Sequence, residues 1–272
     1  MQRLWTAATL ACAVALGCVS ASPTPTGRVA GNRAAAAEKD KSSGWGTIKG
    51  KVVWGGDEIP KPEMIDVTQN KDHCLKKGPL YRQDLVINKQ NKGVRYAIAW
   101  LAPESPKEKL PINPTLKGLT KKPVVIDQPC CMFEPHALGM QEGQTLVVKN
   151  SAPIAHNVYW TSFKNPGGNV QLPPGDKKEI TDLVAENLPL QVQCNIHPWM
   201  SARVGIFKHP YFVVTDEDGN FEIKLAPAGT YRMVVWHERV GYVTPNLKKG
   251  MKITVEDGKV TELEPLKLKP KE

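Results

Sequence analysis

The segment Cys194-Asn195-Ile196-His197-Pro198-Trp199-Met200 places three soft or borderline metal donors within seven residues. Two residues separate Cys from His and two separate His from Met, so one tight turn after a strand end can gather all three. A fourth donor must reach in from elsewhere. His156, at the start of a strand-like run and preceded by Ser151-Ala152-Pro153-Ile154-Ala155, is the candidate. Two imidazoles, one thiolate and a weak thioether form the ligand set of a copper electron-transfer site. Thiolate and thioether favour Cu(I), imidazole suits both oxidation states, and a rigid cage lowers the reorganisation that one-electron transfer requires. Each residue alone has a plainer reading, since a lone His is commonly a core or surface residue and a buried Cys a small hydrophobe. A structural zinc site would take another Cys or His in place of Met200. Four donors arriving in this order favour copper.

The elements that must hold them read as short strands. Val124-Val125-Ile126, Thr145 to Lys149, His156 to Trp160, Leu188 to Cys194 and Ala202 to Phe207 are separated by turns such as Pro173-Pro174-Gly175. About eight strands in about 85 residues predict a small Greek-key sandwich, and residues 110–208 are assigned to it.

That unit resembles the cupredoxin family, and most of all the amicyanins among its plastocyanin-like blue copper members. Their ligand loop also reads Cys-x-x-His-Pro-x-Met, and Gln144 to Asn150 followed by Ala155-His156-Asn157-Val158 is similar to their strand and His-Asn-Val segment. The resemblance covers about a third of the chain and rests on the two motifs in combination. It implies one type 1 copper held by His156, Cys194, His197 and Met200. It also implies a hydrogen bond from the Asn157 backbone N–H to the Cys194 thiolate. The loop histidine is then expected at a solvent-facing edge through which electrons leave, with Pro198 and Trp199, joined by Pro153 and Ile154, forming a partner patch. Trp199 has a second reading, as a core residue closing the end of the barrel.

Four cysteines stand beyond the leader. With Cys194 kept for metal, Cys74, Cys130 and Cys131 allow one disulfide at most. Vicinal pairing strains the intervening peptide, so Cys74 is expected to bridge to one of the other two. On a strand only one of two neighbours can face it, and Cys130 is preferred, with Cys131 left as a buried hydrophobe. The cluster of Cys131, His136 and Met140 could form a second metal site, but a disulfide partner plus core residues is the favoured reading for an exported chain.

The flanks read as a second small β-sandwich. Phe212 to Ile223, with its Asp218-Gly219 turn, then Pro227-Ala228-Gly229-Thr230-Tyr231, resembles the carboxypeptidase regulatory-like, or prealbumin-like, repeat. Its opening strand, Gly46 to Trp54, lies far upstream. One arrangement is a sandwich begun by residues 46–109 and completed by 209–272, with the copper unit inserted. Three modules in series is the alternative, and periodicity does not decide between them. An EF-hand at Asp216-x-Asp218-Gly219 fails because Pro227 occupies the position of its last carboxylate. His237-Glu238 is taken as structural.

At the amino terminus Arg3 and the apolar run Leu4–Gly17 read as a signal peptide over residues 1–21. Cleavage before Cys18 would lipidate that residue, and cleavage after Ala21 is the alternative. Residues 22–45 read as a flexible tether. Export to the periplasm or cell envelope follows, with membrane contact only through the lipid. The chain carries 36 Lys+Arg against 27 Asp+Glu, a net charge of +9, spread along its length. No nucleic-acid motif accompanies that charge, which suits acidic redox partner proteins instead. No Ser-His-Asp set, carboxylate pair or phosphate loop stands out, so an enzyme is not expected. The expectation is an all-β, exported electron carrier. The alternatives are an envelope copper carrier and a metal-free scaffold or adhesion protein.

Overall fold

Two-residue alternation opens the described part of the chain. A computed structural model describes residues 44–269; the leader, Cys18 and the tether up to residue 43 lie outside the described residues. Strand β1 (Trp45–Trp54) buries Ile48, Val52 and Trp54 and turns Lys49 outward. A single helical turn, α1 (Lys71–Cys74), and β2 (Ile98–Ala102) follow. Residues 93–96, just before β2, form a bridge and a turn.

Eight strands then form one unit: β3 (Val124–Ile126), β4 (Ala137–Gln141), β5 (Leu146–Lys149), β6 (His156–Thr161), β7 (Gly168–Leu172), β8 (Lys177–Ile180), β9 (Leu190–Gln193) and β10 (Ser201–Phe207). The remainder is β11 (Phe212–Val214), β12 (Asn220–Pro227), β13 (Gly229–His237), β14 (Gly241–Tyr242), β15 (Met251–Val255), β16 (Val260–Glu262) and β17 (Leu266–Leu268). The fold is all-β.

The eight strands make two sheets, β4-β10-β9-β6-β7 and β3-β5-β8. Between them Met140, Leu146, Val148, Val158, Leu190, Val192, Val204 and Ile206 share one core. Around this unit the chain builds a second sandwich from its two ends. Strand β1 pairs with β12, β16 and β17, and β2 pairs with β11 and β13. Ile48, Val52, Leu101, Phe221, Met233 and Ile253 lie in its core. Leu110 lies in the flanking core, and Ile65, Val67 and Cys74 lie in the core of the eight-stranded unit.

The seam between the sandwiches depends on two glycines. Gly139 and Gly205 are cross-strand partners on β4 and β10. A Cβ on Gly139 would sit 2.4 Å from the Phe212 ring, and one on Gly205 would sit 2.7 Å from Phe207. The bare backbone lets Phe207 and Phe212 stack, with ring centroids 4.8 Å apart. Beside them the Glu238 carboxylate lies buried between His136 Nε2 and Arg203 Nε, the latter at 3.0 Å. His136 is thus engaged with Glu238, and Met140 lies in the core of the eight-stranded unit.

Candidate metal centre

Register brings the donors together. Strands β9 and β10 are antiparallel neighbours with Gln193 opposite Ser201, so the seven residues between them form a closed loop. Cys194 N donates to the Met200 carbonyl at 3.2 Å, and Met200 N to the His197 carbonyl at 2.9 Å. Strand β6 lies on the other side of β9, with Tyr159 opposite Gln193. Continuing that register carries His156 and Asn157 alongside the loop. There the Asn157 backbone N–H points at Cys194 Sγ, 3.4 Å away. The Asn157 side-chain oxygen accepts from the backbone N–H groups of Asn195 and Ile196, and its amide nitrogen donates to Asn169 Oδ1 at 2.6 Å. One asparagine therefore fixes both the sulfur and the loop behind it.

His156 Nδ1 and His197 Nδ1 stand 3.9 and 3.8 Å from Cys194 Sγ, and the three donor atoms lie within 4.8 Å of one another. Metal–sulfur and metal–nitrogen bonds of about 2.3 and 2.0 Å, at angles between tetrahedral and trigonal, separate N from S by about 3.5–3.8 Å. The observed spacing is close to what a shared ion imposes. Met200 adjoins the three, and all four residues are at most 1% exposed. Burial, then the neighbouring His197 and His73, hold the His156 imidazole down to about 4. Burial, then His73, likewise lower His197. Both rings are neutral near pH 7, with lone pairs free for a cation. The residues present fit a soft, tetrahedral-to-trigonal metal ion.

The outer side of His197 differs from expectation. The resemblance implied a solvent-facing edge, whereas segment 63–82 covers it. Met64 and Tyr81 form the neck of this cap, and its underside places Ile65, Val67 and Cys74 against the site's own core. Asn70, in the left-handed region at φ 48° just before α1, presents Oδ1 to His197 Nε2 at 3.0 Å. Trp199, read either as a partner patch or as a core residue, is half-buried beneath the cap; its Nε1 donates to the Cys131 carbonyl at 3.1 Å. Pro198 and Pro153 remain exposed.

The disulfide also corrects the expected pairing. Cys74 bonds to Cys131, not to Cys130, with Cα atoms 5.4 Å apart. The alternation argument fails because residues 129–132 form a bend and not a strand, and Cys131 adopts φ 59°. Cys130 is half-buried near Glu134 Oε1, at 3.6 Å; burial, then the Glu134 charge, push its thiol up. Sequence reasoning missed Asn70 and assigned the bridge to the wrong one of the two neighbouring cysteines. The only available signal was indirect: a bridge from Cys74 to the 130–131 pair must carry its neighbours towards the site.

No family model and no curated protein matches this chain. Among solved structures it is similar to a purple cupredoxin from Nitrosopumilus maritimus, at 19% identity over 30% of this chain and 98% of that one, with a TM-score of 0.27. It is similar to a reduced amicyanin variant at 18% identity, 40% and 97% coverage and a TM-score of 0.28. It is also similar to a copper-containing nitrite reductase from Thermus scotoductus SA-01, at 20% identity, 32% and 22% coverage and a TM-score of 0.29.

Proposed function

We propose that this chain is a copper protein that carries single electrons. The observation that carries the reading is the convergence of two imidazole Nδ1 atoms and one backbone N–H on a buried thiol, with Met200 adjoining. Bound there by His156, Cys194 and His197, with Met200 as a weak fourth ligand, copper supplies a Cu(I)/Cu(II) couple. The chain's own residues keep the cage constant between the two states: Asn157 holds the sulfur and the loop, the Cys194 N–H to the Met200 carbonyl closes the loop's ends, and the Met200 N–H to the His197 carbonyl tightens its turn. The backbone N–H on sulfur stabilises the thiolate's negative charge and so tunes the couple.

Catalytic metal sites keep a coordination position open to substrate. The sealing of all four donors supports a carrier over an enzyme. Export and a lipid anchor at Cys18 belong to this proposal, as do acidic redox partners drawn by the basic chain. So does the carboxypeptidase regulatory-like character of the flanking sandwich, whose role here is to supply the cover over His197. The test is the visible spectrum of copper-loaded, oxidised protein. An intense thiolate-to-Cu(II) charge-transfer band is expected, and a colourless, copper-free protein overturns the proposal.

A further inference from the structure

The cap is held to the metal unit by few fastenings. Among the described residues no backbone hydrogen bond joins 63–82 to the eight strands; its own bonds are internal, such as Ile65 N to the Leu80 carbonyl, Arg82 N to the Glu63 carbonyl, and His73 and Cys74 N to the Asn70 carbonyl. What fastens it is the contact of Ile65, Val67 and Leu80 with the core, the Asn70–His197 hydrogen bond, and the Cys74–Cys131 bridge. Segments with so few fixed contacts open at low free-energy cost unless they are cross-linked. The bridge also lies directly over the site, since both of its sulfurs are within 4.8 Å of a His197 ring nitrogen. The donors beneath are closed to solvent, so an ion reaches Cys194 only when something above or beside the loop moves.

From this we infer that the Cys74–Cys131 pair is a redox lock on the metal site: as a dithiol it leaves the cap free to open and admit or release the ion, and as a disulfide it seals the site. This rests on the reading of Cys194 as a metal ligand. Locking forms one S–S bond. The two thiols give up two electrons and two protons to an external disulfide, protein or small molecule, which leaves as a dithiol. Opening is the reverse exchange with a dithiol. Cys130 stands next to the bridge as a free thiol, and removing it keeps Cys74 from re-pairing during the test.

The lock is read without metal from the reactivity of Cys194. In full-length apo-protein carrying Cys130→Ser, peptide-resolved iodoacetamide labelling of Cys194 should be slow while the bridge is intact. Adding Cys74→Ser and Cys131→Ser should speed that labelling about tenfold or more, because a buried thiol reacts through its open population. Copper uptake, followed by the growth of the charge-transfer band, and copper loss to a chelator should accelerate in parallel. If the serine variant does not fold, Cys130→Ser protein treated with a phosphine and then freed of it by desalting must show the same acceleration. Equal labelling of the bridged and unbridged forms overturns the lock, whatever the metal does. Failure of both forms to take up copper while labelling still differs leaves the lock standing and defeats the copper reading instead.

Discussion

The donor loop and the cover above it are built in opposite ways. The loop Cys194–Met200 hangs between two paired strands, and β6 lies alongside, so its geometry comes from sheet register and backbone hydrogen bonds within one sandwich. The cover comes from the flanking chain and depends on side chains: one amide on one imidazole, one disulfide and three apolar residues. Local, backbone-defined geometry is rigid and suits a site that must not rearrange. Cover assembled from distant side chains can be strengthened or released without disturbing the cage.

Changes in the loop should therefore abolish chemistry, and changes in the cover should alter stability and access. The largest effect is expected from Cys194→Ala, which should eliminate the charge-transfer band altogether. Met200→Leu should keep copper and the band but shift the potential, as measured by redox titration. A retained band in Cys194→Ala would break the comparison at once.

Next comes the bridge. Replacing Cys74 and Cys131 by serine should lower unfolding stability by about 4 kcal/mol, the chain-entropy value for a loop of this length. The band of the copper-loaded variant should stay in place. Denaturant titration beside the spectrum checks both halves, and a lost band would mean that cover and cage are not separable.

A somewhat smaller effect is expected at the seam. Burial alone would raise the Glu238 carboxyl, but the His136 hydrogen bond and charge, then Arg203 and His237, outweigh it and hold the group below the ordinary carboxylate range. Glu238→Ala leaves the half-buried Arg203 guanidinium and the buried His136 ring without their shared acceptor and should cost about 3 kcal/mol. The buried histidines set the pH dependence of the same region. Burial holds His209 and His237 to about 4, against 6.5 in the unfolded chain. Between those values the unfolded chain binds more protons, so stability is full above about 6.5 and falls as pH drops towards about 4. Urea midpoints at pH 7 and pH 5 should show the loss, and His209→Gln should flatten it.

The smallest effect is expected at Asn70. Asn70→Ala removes one hydrogen bond to His197 and should cost about 1 kcal/mol. A modest change in potential should accompany it, because the outer nitrogen of a metal-bound imidazole tunes its basicity. An unchanged potential would reduce Asn70 to a packing residue.

What was legible in the sequence follows the same division. His156, Cys194, His197 and Met200 were readable because their spacing suggests one loop and one adjoining strand, whereas Asn157 was named only through the family resemblance. The alternation of β1 and the Asp218-Gly219 turn marked strands of a second sandwich. Nothing in that alternation says that Trp54 pairs with Leu268, since a period of two fixes which face is buried and not which strand lies alongside. Cys131 was misassigned because a left-handed residue in a bend breaks the two-residue rule. The partners of Asn70 and Glu238 could not be read: each acts on a residue more than a hundred positions away, and neither local pattern nor composition encodes such a meeting.

The split sandwich has a consequence for the order in which the molecule forms. Strand β1 meets residues 92–94 in an isolated bridge, Val53 with Gly93, but its strand partners are β12, β16 and β17, at the far end of the described residues, whereas β3–β10 are contiguous. A ribosome delivers the cap, then the whole eight-stranded unit, and last the strands that complete the outer sandwich. Domains fold as units while synthesis proceeds, and long-range pairing is slow because its loop-closure entropy must be met first. The cage can thus be complete while β1 still lacks its sheet partners, so Ile48, Val52 and Trp54 wait uncovered for residues not yet made.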